Sequence, residues 1–325
     1  MSDDSKNDLA FTRERGATGS GPEHGAGEAT YSGALSFARR LYSKDLSGCD
    51  VAVVGAPFDL ATSGRPGARF GPRAVREASA IIAWDRIWGW DFDPFDALSV
   101  IDYGDLMFDY GAPANAPEEL EAQFRQIHER NVATLTLGGD HFISYPVLKS
   151  IARQHDQPLS LIHFDAHSDT WFDDSDRVDH GTMFYHAAKQ GLVAPERSAQ
   201  IGIRTNNEDT HGFNIFEAEK ANALGSKALA EQVRAIVGDA PVYLTFDIDC
   251  LDPAYAPGTG TPVAGGLTSM QAFEILRELR GVNVVSADVV EVSPSYDVSE
   301  ITALSAATIG LHCLALMAAG KREQS

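Results

Sequence analysis

Cysteine is scarce in this chain: Cys49, Cys250 and Cys313 are the only three among 325 residues, and no two stand in a CxxC spacing. So small and odd a set excludes a disulfide scaffold and a thiolate zinc site, and it suits a reducing compartment. Positive charge is scarce too, with 26 Lys and Arg against 46 Asp and Glu, a formal net charge of −20. A surface this acidic repels phosphates and anionic headgroups, which argues against a nucleic-acid or membrane partner. It is compatible with a cationic ligand without specifying one, since solubility or salt adaptation explains the excess more simply. Long apolar runs are absent but for one, from Ile301 to Gly320, which carries no charged residue and has about the length that spans a bilayer. Thr302, Ser305, Thr308 and His312 interrupt it. It reads as a buried helix opened by a capping box, with Asp297 as N-cap and Glu300 three residues later. No apolar h-region occurs in the first 33 residues, which read as a flexible polar arm. A single domain over residues 34–325 and a cytoplasmic location are the expectations.

What is present is a core-forming composition, 44% hydrophobic and 22% charged. Short apolar runs at Asp50–Ala56, Ser99–Asp102, Ala133–Leu137, Leu159–Phe164, Gln200–Ile203, Val242–Ile248 and Val284–Val290 predict strands. They are near-continuously apolar, as strands buried on both faces of a parallel sheet are. Amphipathic stretches between them predict helices at Glu118–Arg130, Ala228–Val237 and Leu267–Arg280, the last with Thr268 and Gln271 in capping-box spacing. Strand and helix alternate from residue 50 onward, which predicts an α/β fold with helices on both faces of a mostly parallel sheet.

Ligand sites in such sheets lie beyond the carboxyl ends of the strands, and three of those ends are dense in His and Asp. The run Ala133–Leu137 leads into Gly138-Gly139-Asp140-His141, where the glycines would permit a sharp turn. Leu159–Phe164 leads into Asp165, His167 and Asp169, and an extended backbone would point these to one side. Val242–Phe246 leads into Asp247 and Asp249, with Cys250 facing the other way. A lone Asp pair is most often a solvated turn. Four Asp and two His at the ends of buried strands are harder to set aside, because clustered carboxylates repel unless a cation compensates. Hard oxygen donors with imidazole suit a pair of divalent ions such as Mn²⁺.

The runs GGDH at 138–141, HFDAHSD at 163–169 and TFDIDCLDPAYAPGTGTPVAGGL at 245–267 resemble the signatures of the ureohydrolase family, which holds arginases and agmatinases. The similarity extends over about residues 50–320 and is greatest to the bacterial agmatinase branch. It implies a three-layer α/β/α sandwich on an eight-stranded, mostly parallel sheet. It also implies two Mn²⁺ per subunit, one on His141, Asp165, Asp169 and Asp247 and the other on His167, Asp165, Asp247 and Asp249, with Asp165 and Asp247 bridging. A homo-oligomer, commonly a trimer or hexamer, is a further implication.

Two metals that share a water lower its pKa from about 16 toward neutrality, and so furnish the hydroxide that a resonance-stabilised guanidinium demands. Asp169 is placed to hydrogen-bond that hydroxide. His180, within DHGTMFY at 179–185, matches the family's mobile-loop histidine, a proton shuttle to the leaving amine. Glu291 matches the guanidinium-binding carboxylate, a natural partner for a planar cation. His163 and Asp288 read as supporting or structural residues, and His155, His186, His211 and His312 as ordinary ones.

Tail recognition is less legible. The loop 171–179 carries four Asp against one Arg and lacks the Asn and Ser run that resembles arginase's carboxylate-binding loop. It favours an ammonium tail, hence agmatine, with putrescine and urea as products and polyamine synthesis as the setting. A hydrolase of 4-guanidinobutyrate or of free guanidine would use the same ligands. A silent regulator should have lost ligands, and a deacetylase of the same broad fold needs a single metal. The basic run Ser63–Arg73 lacks Walker spacing and reads as a loop salt-bridged within the fold or to a neighbouring subunit.

Overall fold

The computed structural model describes residues 29–83, 86–172, 174, 175 and 177–323, so most of the expected N-terminal arm falls outside the described residues. Eight strands form one sheet: β1 (Val51–Ala56), β2 (Val100–Asp105), β3 (Ala133–Gly138), β4 (Ser160–Phe164), β5 (Ala199–Ile203), β6 (Asn214–Glu217), β7 (Val242–Asp247) and β8 (Val284–Val290). Their spatial order is β2-β1-β3-β8-β7-β4-β5-β6, and every pairing is parallel. Strands β1, β4, β5 and β7 are buried at every position, as continuous apolar runs must be when helices cover both faces. One face packs Phe164, Phe246 and Leu244 against the helices Gly71–Ile81, Ser226–Val237, Ser269–Glu278 and Ile301–Glu323. The opposite face packs Val54, Leu161 and Tyr243 against Ala116–His128, Ser144–Ile151 and Met183–Lys189. The result is the three-layer arrangement expected.

Several local expectations hold. Thr268 and Gln271 make both bonds of the capping box at the start of Ser269–Glu278. Ile301–Glu323 is one helix, and 83% of its most apolar window is buried. Its length and composition would suit a bilayer, but this burial marks it as a core helix.

Three details differ. At the start of Ile301–Glu323, both oxygens of Asp297 cap the helix, accepting from the amides of Thr302 (2.9 Å) and Ala303 (3.0 Å). Glu300 is not the reciprocal partner, because Ser299 and Glu300 take left-handed backbone conformations (φ 52° and 59°). Strand β6 was not expected. Its four residues lie at the sheet edge, only one of them buried, so no apolar run betrays it. Gly138 and Gly139 serve close approach rather than a turn: a Cβ at Gly139 would strike the carbonyl oxygens of Phe58 and Ala56, and one at Gly138 the Val290 side chain.

Candidate metal centre

β3, β8, β7 and β4 are consecutive neighbours in the sheet, and their C-terminal ends carry His141, Glu291, Asp247 with Asp249, and Asp165 with His167 and Asp169. All six expected ligands converge. Nδ1 of His141 lies 3.0 Å from Asp165, 2.9 Å from Asp169 and 3.3 Å from Asp247. Nδ1 of His167 lies 3.2 Å from Asp165 and 3.1 Å from Asp249. Asp165 therefore belongs to two groups of possible ligands whose donor atoms all lie within 4.8 Å of one another, one around His141 and one around His167.

The backbone reaches this arrangement by turns, not by the extended chain that the i, i+2, i+4 spacing suggested. Oδ1 of Asp165 accepts the His167 amide at 2.6 Å, which folds the chain directly after β4. Asp169 is left-handed, at φ 51°. Asp247 likewise accepts the Asp249 amide at 2.8 Å and starts a 3-10 turn, Ile248–Cys250. Cys250 turns away, onto the Ile201 carbonyl. Non-glycine residues held in the left-handed region concentrate at functional sites, and Glu291, at φ 64°, is a second one here.

The electrostatics ask for positive charge. Asp165, Asp169, Asp247 and Asp249 are all buried. Burial raises the Asp247 carboxyl well above the usual range, and the charges of Asp249 and Asp165 push it further. Asp169 and Asp249 are raised for the same two reasons, burial and then the charge of Asp165. Burial opposes ionisation of Asp165 as well, but His163, His141 and His167 hold it well below the normal carboxylate range. For His167, burial disfavours the cation, yet Asp165 and Asp249 outweigh it and the pKa is pushed up to about 12. Nδ1 of His141 finds no hydrogen-bond partner among these carboxylates. A buried nitrogen without a partner, ringed by carboxylates, fits a hard divalent cation.

His163 falls within reach of the His141 group, but its bonds give it another task. The Gln200 amide nitrogen, placed by the Ser168 carbonyl at 2.6 Å, donates to His163 Nδ1 at 3.0 Å. His163 Nε2–H then donates to Asp165 at 2.7 Å. The ring supports Asp165, as expected from its deeper position on β4.

Glu291 and His180 meet beside the ligands. Oε1 of Glu291 accepts the His141 amide at 2.9 Å and faces His180 Nδ1 at 3.0 Å. Oε2 of Glu291 is buried and has no hydrogen-bond partner among the described residues. A cavity of about 290 Å³ opens here, lined by Ser63, His167, Asp169, Trp171, Asp179 and His180 among others. No Lys or Arg lines it among the described residues. Of the acidic loop, Asp173 and Asp176 lie outside the described residues, Asp174 is exposed, and Asp179 alone borders the cavity. Asp179 also pairs with exposed Arg177 at 3.2 Å. The basic loop is tied within the fold: Arg69 pairs with Asp59, and Arg65 lies over the Tyr296 ring.

Sequence reasoning missed Ser63, Gln200 and Thr245. Ser63 touches His180, Thr245 lies 2.8 Å from His141 Nε2, and Gln200 orients His163. For the latter two a signal existed, a polar residue inside an otherwise apolar strand. For Ser63 there was none.

The profile of the Arginase family matches residues 49–316. An agmatinase from Chromobacterium violaceum is 51% identical over 306 residues, which is 94% of this chain and 94% of that protein. The crystal structure of a hypothetical agmatinase from Burkholderia thailandensis superposes with a TM-score of 0.89 at 54% identity, covering 92% of this chain and 94% of that one. Proclavaminate amidino hydrolase from Streptomyces clavuligerus superposes with a TM-score of 0.82 at 38% identity, covering 90% of this chain and 100% of that one.

Proposed function

The chain belongs to the arginase family, and we propose that it is an agmatinase, hydrolysing agmatine to putrescine and urea. One observation carries the reading: a buried ring of carboxylates around His141 adjoins a carboxylate oxygen, Oε2 of Glu291, that has no partner among the described residues. The first feature calls for metal, and the second for a donor-rich planar cation. His141, Asp165, Asp169 and Asp247 would hold one Mn²⁺, and His167, Asp165, Asp247 and Asp249 the other. Bound there, the pair would supply the Lewis acidity that makes water nucleophilic near neutral pH.

The remaining steps fall to the chain's own residues. Oε2 of Glu291 accepts N–H groups of the guanidinium and holds its carbon facing the ligands. Asp169 accepts a hydrogen bond from the attacking nucleophile. The leaving amine needs a proton, because an amide anion is far too basic to depart, and His180 on the cavity wall delivers it. Trp171 borders the substrate's tail, and a cavity edged by Asp179, with no Lys or Arg among the described residues that line it, favours an ammonium end over a carboxylate.

A guanidino-acid hydrolase is the second reading. It is favoured by the 38% identity to an enzyme named for another amidino substrate, which leaves tail recognition as the point of difference. A trimeric or hexameric assembly is proposed with the activity. The exposed apolar residues Val298, Ile301 and Leu304 around the start of the helix Ile301–Glu323 support it. To test the activity, chelator-stripped protein is incubated with agmatine before and after Mn²⁺ is restored. Putrescine and urea in equal amounts, only after restoration, support the proposal, and no urea from the reloaded protein refutes it.

A further inference from the structure

Five polar side chains form a row across the sheet, one level beneath the ligands. In the register of adjacent strands, Thr136 on β3 pairs with Asp288 on β8, Asp288 with Thr245 on β7, Thr245 with His163 on β4, and His163 with Gln200 on β5. All five are fully buried. Interior strands of a parallel sheet are normally apolar, and each buried polar group costs free energy unless it is bonded. Such a row calls for an explanation.

The Thr136 hydroxyl has no partner among the described residues, but the bonds of the other four run in a fixed direction. Asp288 accepts three hydroxyls, those of Ser144 (2.6 Å), Tyr243 and Thr245 (2.6 Å). Thr245 has one hydroxyl proton, and it is committed to Asp288. Toward His141 Nε2, 2.8 Å away, the Thr245 oxygen is left as an acceptor. His141 therefore carries a proton on Nε2 and is free to present a lone pair on Nδ1. That Nδ1 is the nitrogen ringed by Asp165, Asp169 and Asp247. A lone pair aimed at three carboxylates is repulsive unless a cation lies between them. At the other end of the row, Gln200 imposes the complementary arrangement on His163, which keeps its Nε2–H for Asp165.

We infer that Thr245 and Asp288 are positioning residues that set the tautomer of His141 and so prepare it as a metal ligand. Asp288 acts through Thr245 and touches neither the ligand cluster nor the cavity. Metal-binding histidines commonly give their second N–H directly to a carboxylate or carbonyl, and loss of such a partner weakens metal binding about 10- to 100-fold. Here a hydroxyl relays the carboxylate. The inference rests on the metal reading proposed above, and it implicates only the metal held by His141.

The test is calorimetric titration of the chelator-stripped full-length protein with Mn²⁺, for the wild type, Thr245→Val and Thr245→Ser. The wild type should bind two ions. Thr245→Val keeps the side chain's shape and should weaken one of them about 10- to 100-fold while leaving the other unchanged, and Thr245→Ser should restore both. Thermal melts separate positioning from packing: Thr245→Val should melt below the wild type when metal-free, because two buried hydrogen bonds are lost, and should in addition show a smaller Mn²⁺-induced rise, whereas a purely structural role would leave that rise unchanged. A wild type that binds no Mn²⁺ overturns the metal reading itself. A wild type that binds two with Thr245→Val indistinguishable from it overturns this inference alone. If Thr245→Val does not accumulate in soluble form, Asp288→Asn is titrated in its place against the same criteria.

Discussion

Ser63 and His180 are joined through the imidazole Nε2, which lies 2.9 Å from the Ser63 backbone nitrogen and 2.7 Å from its hydroxyl oxygen. A backbone N–H can only donate, so Nε2 is unprotonated in this arrangement and the proton sits on Nδ1, toward Glu291. Burial opposes a charged His180, yet Glu291, Asp169 and Asp140 outweigh it and push its pKa up to about 9. Charge on His180 and the Ser63 contact therefore exclude each other. To take a proton at Nε2, the ring must be released by the loop that carries Ser63.

If His180 delivers the proton to the leaving amine, His180→Asn should lower kcat by about 10²- to 10⁴-fold, the range for loss of a general acid. KM should change far less. Ser63→Ala keeps the backbone N–H and should have a smaller effect than His180→Asn. Steady-state kinetics on the Mn²⁺-loaded protein checks both, and an unchanged kcat in His180→Asn would remove it from the proton path.

Glu291→Gln keeps the size of the side chain but replaces one oxygen with a donor that repels a guanidinium N–H. A charge-assisted hydrogen bond is worth about 1.5–3 kcal/mol, so kcat/KM should fall at least about tenfold. Metal content, measured by elemental analysis, should stay at the wild-type value. An unchanged kcat/KM would make Glu291 a structural residue.

Asp165 is shared by both ligand groups. Asp165→Asn should therefore reduce Mn²⁺ content at both positions and depress turnover by more than about 100-fold, the upper end for a partner one bond further out. Full metal content and wild-type rate would exclude Asp165 as a ligand.

How much of this was legible beforehand depended on range. Seven of the strands were visible because each is buried over most of its length, which demands a largely apolar run. β6 was not, because an edge strand of four residues with only one buried makes no such demand. The six clustered residues were visible as types at spacings. Their true geometry was not, since the left-handed backbone of Asp169 and Glu291 is set by surrounding packing and not by the residues themselves. Contacts such as Ser63 with His180, or Thr245 with His141, join segments about a hundred residues apart. Nothing local announces them.

His312 shows how an ordinary histidine acquires a measurable role. It is buried, its Nδ1 accepts the Trp90 indole N–H at 2.9 Å, and burial followed by the charge of Arg277 lowers its pKa to about 3. The folded protein thus refuses a proton that the unfolded chain accepts near pH 6.5. Its contribution is present above about pH 6.5 and is lost as pH falls toward 3, at about 1.4 kcal/mol per pH unit. In denaturant unfolding, the stability advantage of the wild type over His312→Gln should shrink as pH is lowered from 7 to 4.5. A constant advantage would contradict this.

The central claim, that this metal centre serves a guanidinium with a cationic tail, is tested most directly by kcat/KM for agmatine, 4-guanidinobutyrate, arginine and guanidine on one Mn²⁺-loaded preparation. The account predicts a clear preference for agmatine, of at least about tenfold for a difference of 1.4 kcal/mol in tail recognition. A preference for either carboxylate-bearing substrate, or for guanidine itself, would contradict it.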